Sequence, residues 1–282
     1  MKYILQDMIV TAFGAIASLM TTVILLIVEN QYGFAFYSLM LWFFIPVGAI
    51  FSGFVAAGGY YVGARIFGQK PSSLILFNMV AVSIGTFFTI YYLSYIFIEI
   101  DGQQISDLIS FNTYLDYILR HQSLSFSFRG HSVGSTGELG TLGYATAVLQ
   151  ILGFAIGGAV TFFYLSSLPY CEVCRRYLKK VGLQDRFTSE SASLAEKIQD
   201  FALLLDKKQF NDAIRFHAEK MGVYASPGHH LRTRIITRVC KKCGINHLDF
   251  FASKLEEDSW TDISETKIGV FTNVILETVD HS

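Results

Sequence analysis

Charge is what this chain has least of. Only 16% of its 282 residues are Asp, Glu, Lys or Arg, against about 25% in an average soluble protein, and the deficit is concentrated. None of the four occurs in 8–28, 30–64, 71–98 or 139–171. A helix needs about 20 predominantly apolar residues to cross the roughly 30 Å hydrocarbon core of a bilayer, and each run is long enough. Four such runs exclude an ordinary soluble enzyme. They predict four membrane spans near 8–28, 38–63, 72–97 and 142–166, a membrane domain over 1–166 and a soluble domain over 167–282. The first run is longer than a secretory apolar core and is preceded only by Lys2, balanced by Asp7, so it reads as a retained span.

The spans also lack an ionisable side chain near their centres, where proton relays, coupling sites and voltage sensors require one. Ion-coupled transport is disfavoured. Asn78 and Gln150 are the main amides in the spans and are expected to hydrogen-bond between helices. The hydroxyls of Thr21, Thr22, Ser83, Thr86 and Thr89 could line a passive pore, although such groups usually bond to their own helix. No Gly-Lys-Ser/Thr accompanies the glycines at 130, 134, 137, 140 and 143, which argues against a Walker-type phosphate loop and for a tightly turned lead-in to the fourth span. The chain shows no Ser/His/Asp order, no His-Glu-x-x-His and no persuasive carboxylate pair. A membrane enzyme acting on lipid or envelope substrates would have to rely on Glu138, His121 and His131.

Lys and Arg in the short flanks set orientation. Segment 29–37 has neither, 65–70 carries Arg65 and Lys70, and 99–138 has two arginines among five acids. The fourth span is followed by Arg175, Arg176, Lys179 and Lys180. Both termini are therefore expected in the cytoplasm. The cysteines agree, since none lies in a segment placed outside and all four fall where thiols stay reduced.

Within the membrane half, Pro46 is expected to kink the second span near its start. Gly59/Gly63 and Gly153/Gly157 have the four-residue spacing that lets helices approach closely, within a monomer or in a homo-oligomer. The loop 99–140 is too long for a simple connection. Ile105, Leu108, Ile109, Leu115, Ile118 and Leu119 recur near helical spacing between Gln104 and Gln122, predicting an amphipathic helix on the outer membrane surface or capping the bundle.

The soluble half is nearly neutral, with 17 Lys+Arg against 16 Asp+Glu. It reads as α+β: a cysteine knuckle, two helices, then strands. The first helix is expected to start on a capping box at Ser193 and Glu196, and the second to run over about 208–221. After a Ser226-Pro227-Gly228 turn, Leu231 to Val239 alternate as a strand, with further strands near 247–254 and 260–272.

All four cysteines stand in two Cys-x-x-Cys pairs, Cys171/Cys174 and Cys240/Cys243. Two residues between cysteines allow both thiolates to bind one ion, and two such knuckles complete a closed tetrahedral site, the usual structural zinc arrangement. The second, Cys240-Lys241-Lys242-Cys243-Gly244, resembles the knuckle of a zinc ribbon, which implies structural zinc held by all four cysteines. It departs from that pattern in its gap, because the whole of 175–239 separates the pairs and a helical pair must be inserted between them. His247 or the His229/His230 pair could replace one cysteine, and thiol redox chemistry is the sharper alternative. A closed site would fold the domain rather than hydrolyse anything.

The leading functional reading is a membrane-anchored interaction or regulatory protein whose zinc-held cytoplasmic domain binds another protein. A small oligomeric channel or transporter and a membrane enzyme are the alternatives. Arg232, Arg234, Arg238, Lys241 and Lys242 form a basic strand face that could meet an anionic surface. Nucleic acid is the less favoured partner, and the competing expectation is cross-strand pairing with Glu256, Glu257 and Asp258.

Overall fold

The computed structural model of the chain describes residues 2–41, 44–100, 102–128, 131–223 and 228–274, with the backbone alone for 2–6, 124–128 and 131–136. The chain divides into two compact units, Met1–Ser167 and Leu168–Ser282.

Four helices of the first unit are long and apolar enough to cross a membrane: α1 (Lys2–Tyr32, apolar from Asp7), α2 (Val47–Phe67), α3 (Ser73–Phe97) and α6 (Leu142–Ser166). The second begins at Val47, well after the start of its apolar run. Residues 36–38 form a 3₁₀ turn, and Pro46 is the N-cap of α2 instead of a kink inside it. Proline lacks the N–H that an interior position must donate, and its fixed φ suits a helix start.

Small residues set the packing. α2 lies against α1 and α6, and α3 against the same two helices. A β-carbon on Gly59 or Gly63 would meet Phe13, Ala17 and Val10 of α1. One on Gly153 or Gly157 would meet Pro46, Ala49, Ile50, Gly53 and Phe54 at the start of α2. Both glycine pairs thus make contacts within the monomer. The hydroxyls of Thr21, Thr22, Ser83, Thr86 and Thr89 each donate to a carbonyl four residues back in their own helix. Gln150 departs from expectation. Fully buried on the face shared with Gly153 and Gly157, it finds no hydrogen-bond partner among the described residues.

Between α3 and α6 come a short hairpin, β1 (Glu99–Ile100) with β2 (Gln103–Gln104), and the helices α4 (Ile105–Leu108) and α5 (Phe111–His121). The expected single amphipathic helix is broken at Ile109–Ser110, where the Ser110 side chain caps α5 by accepting from the Thr113 N–H. Tyr114 and Leu119 of α5 are buried, and the helix packs against α3 and α6, so it caps the bundle. The expected lead-in to the fourth span is instead a hairpin of β3 (Ser123–Phe128) and β4 (His131–Glu138).

The second unit opens with the small antiparallel pair β5 (Tyr170–Cys171) and β6 (Arg176–Tyr177). Then follow β7 (Lys179–Thr188), α7 (Ser191–Asp206), α8 (Phe210–Lys220), β8 (Leu231–Val239), β9 (Asn246–Glu256) and β10 (Ser259–Thr272). A strand therefore precedes the helices. The four long strands form one antiparallel sheet in the order β7-β8-β9-β10, with α7 and α8 as the excursion between β7 and β8. Phe201, Leu205, Phe210, Ala213, Ile214 and Met221 of the helical segment close over Ile235, Leu248 and Phe250 of the sheet. The N-cap of α7 is Glu190, and Ser193 Oγ donates to its carboxylate at 3.0 Å; the helix starts earlier than the capping box indicated. Ser226 and Pro227 lie outside the described residues.

Candidate metal centre

Each cysteine pair sits in the turn of an antiparallel hairpin, and the two turns are built alike. In the first, Cys171 of β5 is paired with Arg176 of β6, and the Arg175 N–H donates to the Cys171 carbonyl at 2.7 Å. In the second, Val239 pairs with Asn246, and the Gly244 N–H donates to the Cys240 carbonyl at 2.9 Å. The residue after each second cysteine takes a left-handed conformation, φ 53° at Arg175 and φ 76° at Gly244. Glycine enters that region without a steric penalty; Arg175 does so because the hairpin imposes it.

The turns bring all four thiols within 4.8 Å of one another, with Cys171 Sγ and Cys243 Sγ 3.6 Å apart. All four are free thiols. Cys171 and Cys240 are buried beside Leu178 and Ile245, whereas Cys174 is half-buried and Cys243 exposed.

Protonation exposes the tension in this cluster. Hydrogen bonding to Cys243, then burial, push the Cys174 thiol up to about 12, and burial above all raises Cys171. Burial also acts to raise Cys240, but the N–H groups of Cys243 and Lys242 and the neighbouring thiols outweigh it and bring it down to about 7. One thiolate forms readily; further ones would add like charge at close range. A central cation removes that penalty. Ligands at ~2.3 Å in a tetrahedron lie about 3.8 Å apart, close to the Cys171–Cys243 separation of 3.6 Å. The four cysteines fit a metal ion.

No family model, curated protein sequence or solved structure matches this chain. The reading of the centre rests on its own geometry. Among the described residues the grouped ligands are four cysteines without histidine. His247, on β9, places Nδ1 3.5 Å from Asp249 and packs on the Phe271 ring at 4.4 Å.

The predicted basic face resolves into two parts. Arg232, Arg234 and Arg238 lie on the sheet surface opposite the helices, and each is engaged. Arg234 makes a two-pronged bond to Asp185 at 2.6 and 2.7 Å, Arg238 pairs with Asp249, and Arg232 donates to Ser253 and lies 4.8 Å over the Trp260 ring. These carboxylates belong to β7 and β9, not to the 256–258 turn. Lys241 and Lys242 stand apart from this face as the exposed tip of the second knuckle.

The candidates in the loop between α3 and α6 form no comparable cluster among the described residues. His121 and Glu138 are both exposed, with Nε2 and Oε2 3.9 Å apart, and the side chain of His131 lies outside the described set. One buried polar group was legible from the sequence only as a member of the apolar side of the second helix of the unit, without its partners. His217 of α8 is fully buried, its Nδ1 2.7 Å from Gln184 Oε1 and its Nε2 3.1 Å from Thr233 Oγ1. Its place on the apolar face of α8, beside Phe210, Ala213 and Ile214, was the available signal.

Proposed function

We propose that the chain is a multi-pass membrane protein over 1–166 that presents a zinc-held α+β module, 167–282, in the cytoplasm, and that the module works by binding another protein. The observation that carries this reading is the convergence of four cysteines from two hairpin turns that lie on either side of 175–239. An all-thiolate tetrahedral set suits zinc or iron, and with every position filled by protein it stabilises a fold instead of activating water. When bound, zinc would supply cross-linking of the two turns and charge compensation for the thiolates. The buried His217 also favours a binding role over catalysis, since both of its ring nitrogens are taken up by Gln184 and Thr233 of the same unit.

The lysine and arginine bias of the flanks supports a cytoplasmic module. Hydroxyls that bond their own helices, together with close glycine contacts among α1, α2 and α6, support a packed anchor over a pore.

The test is elemental analysis of tag-free protein in detergent micelles, combined with thiol labelling in sealed vesicles. One zinc per chain with four reduced cysteines is expected, and after chelation an impermeant thiol reagent should reach Cys243 only from the cytoplasmic side. Metal-free protein with intact cysteines overturns the centre; labelling from the opposite side overturns the orientation.

A further inference from the structure

Six exposed cations surround the four-cysteine centre, and they come from two remote stretches of chain. Arg175 and Arg176 close the first knuckle, Lys179 and Lys180 open β7, and Lys241 and Lys242 form the tip of the second knuckle. Register places Lys179 opposite Val239 and Lys180 opposite Arg238, immediately before Cys240. The four thiols bring the two turns to within 4.8 Å of one another at their base. Neutralising charge is scarce, since Glu172 is the one acid in 168–184 and 240–248 contains none. Four thiolates about a divalent ion add two negative charges, and the surface keeps about +3. On the sheet, Asp185 and Asp249 pair with Arg234 and Arg238.

Two further observations select the occupant. Val173, between the cysteines of the first knuckle, is 77% exposed, an apolar tip beside basic side chains, which suits the boundary between headgroups and acyl chains. Only Ser167, Leu168 and Pro169 lie between α6 and β5 in the chain. A linker that short gives the headgroups around α6 a high effective concentration at the knuckle. We propose that the surface formed by Arg176, Lys179, Lys180, Lys241 and Lys242 around Val173 binds anionic phospholipid headgroups of the leaflet in which α6 ends. The inference rests on the reading that α6 crosses a bilayer and that the cysteines hold a metal. It adds a second task for that metal: joining Lys241 and Lys242 to cations encoded ahead of both helices of the unit.

The full chain is placed in nanodiscs of phosphatidylcholine alone or mixed with phosphatidylglycerol, and amide hydrogen exchange is read over 170–180 and 240–246, with zinc content measured on the same samples. Exchange in both segments should slow in the anionic discs, by roughly fivefold for each engaged cation, and high salt should reverse the effect. K241E/K242E should lose the slowing in both segments, and K179E/K180E should do the same should the first variant fold poorly. K207E/K208E, an equal charge change in the α7–α8 turn, should keep it. Zinc-bound protein whose exchange is the same in both discs overturns this inference alone. Absence of zinc overturns it together with the metal centre. Slowing by an oligonucleotide in phosphatidylcholine discs, with none by phosphatidylglycerol, gives the surface to nucleic acid and likewise overturns the proposal.

Discussion

Lowering the pH from 7 to 5 should weaken the C-terminal unit, with a separable share of the loss carried by His217. His217 is fully buried between α8 and the sheet, where burial first and the nearby Arg186 guanidinium second hold its pKa down to about 3. With Gln184 Oε1 an acceptor 2.7 Å from Nδ1, the folded unit keeps a neutral imidazole carrying its proton on Nδ1. An unfolded histidine titrates near 6.5. The unfolded state therefore binds the extra proton first, so stability is complete above about pH 6.5 and falls as pH drops toward 3. Linkage from 6.5 to 3 gives a loss of about 1.9 kcal/mol between pH 7 and 5. The assay is urea unfolding of the full chain in micelles, followed by Trp260 fluorescence in a Trp42→Phe background. His247, which burial and the nearby Arg238 hold down to about 4, titrates too, as do thiolates and carboxylates, so the comparison is between parent and His217→Gln at both pH values. The parent should lose about 1.9 kcal/mol more than the variant. Equal losses would refute the assignment of a neutral, buried His217.

Cys243→Ser should drop zinc from about one per chain to near zero, and the fall in the urea midpoint of the C-terminal unit should match that produced by a chelator in the parent. Gly157→Leu should cost about 2 kcal/mol or more in detergent unfolding, because the backbone of α2 occupies the space a side chain needs. Gly58→Leu, with nothing within 4 Å of the new β-carbon, should stay within about 0.5 kcal/mol. Asp185→Ala should cost about 1–2 kcal/mol of unit stability by removing both bonds to Arg234, and restoring neutrality with Arg234→Met should recover part of it; additive losses in the double variant would count against direct coupling.

The apolar helices were legible because uncharged runs of this length have few other uses, and the cysteine convergence because Cys-x-x-Cys spacing carries its own geometry. The start of α2 was misread because the apolar run continues through 38–46 while the backbone does not; Pro46 marked a beginning, not a bend. β3 and β4 escaped because their Ser- and Gly-rich stretch carries little apolar alternation. β7 was hidden for a related reason. Its helix-facing positions are Gly182, Gln184 and Arg186, so its inner face is polar and the period-2 signal is absent. Gln184 belongs to the Gln184–His217–Thr233 network, and the Arg186 side chain donates to the Ala218 carbonyl of α8, contacts that form only when α8 returns over the sheet. The acids that engage the sheet arginines were equally out of reach, since Asp185 lies 49 residues from Arg234 in the chain.

The stretch 175–239 between the two cysteine pairs also imposes an order of events during synthesis. The first knuckle emerges directly behind the fourth apolar helix, with two thiols and no partner. At about 5–20 residues per second, the ribosome needs roughly 3–13 s to deliver the second. Through that interval β7 has no neighbouring strand, since β8 ends at the second knuckle. The second pair, by contrast, gains its whole hairpin from a local stretch of chain, since β8 precedes it directly and β9 follows it directly. Metal capture by Cys240 and Cys243, followed by recruitment of Cys171 and Cys174, would fasten the start of β7 to the end of β8, so a nascent chain stalled before Cys240 would carry an open strand edge beside two unpaired thiols.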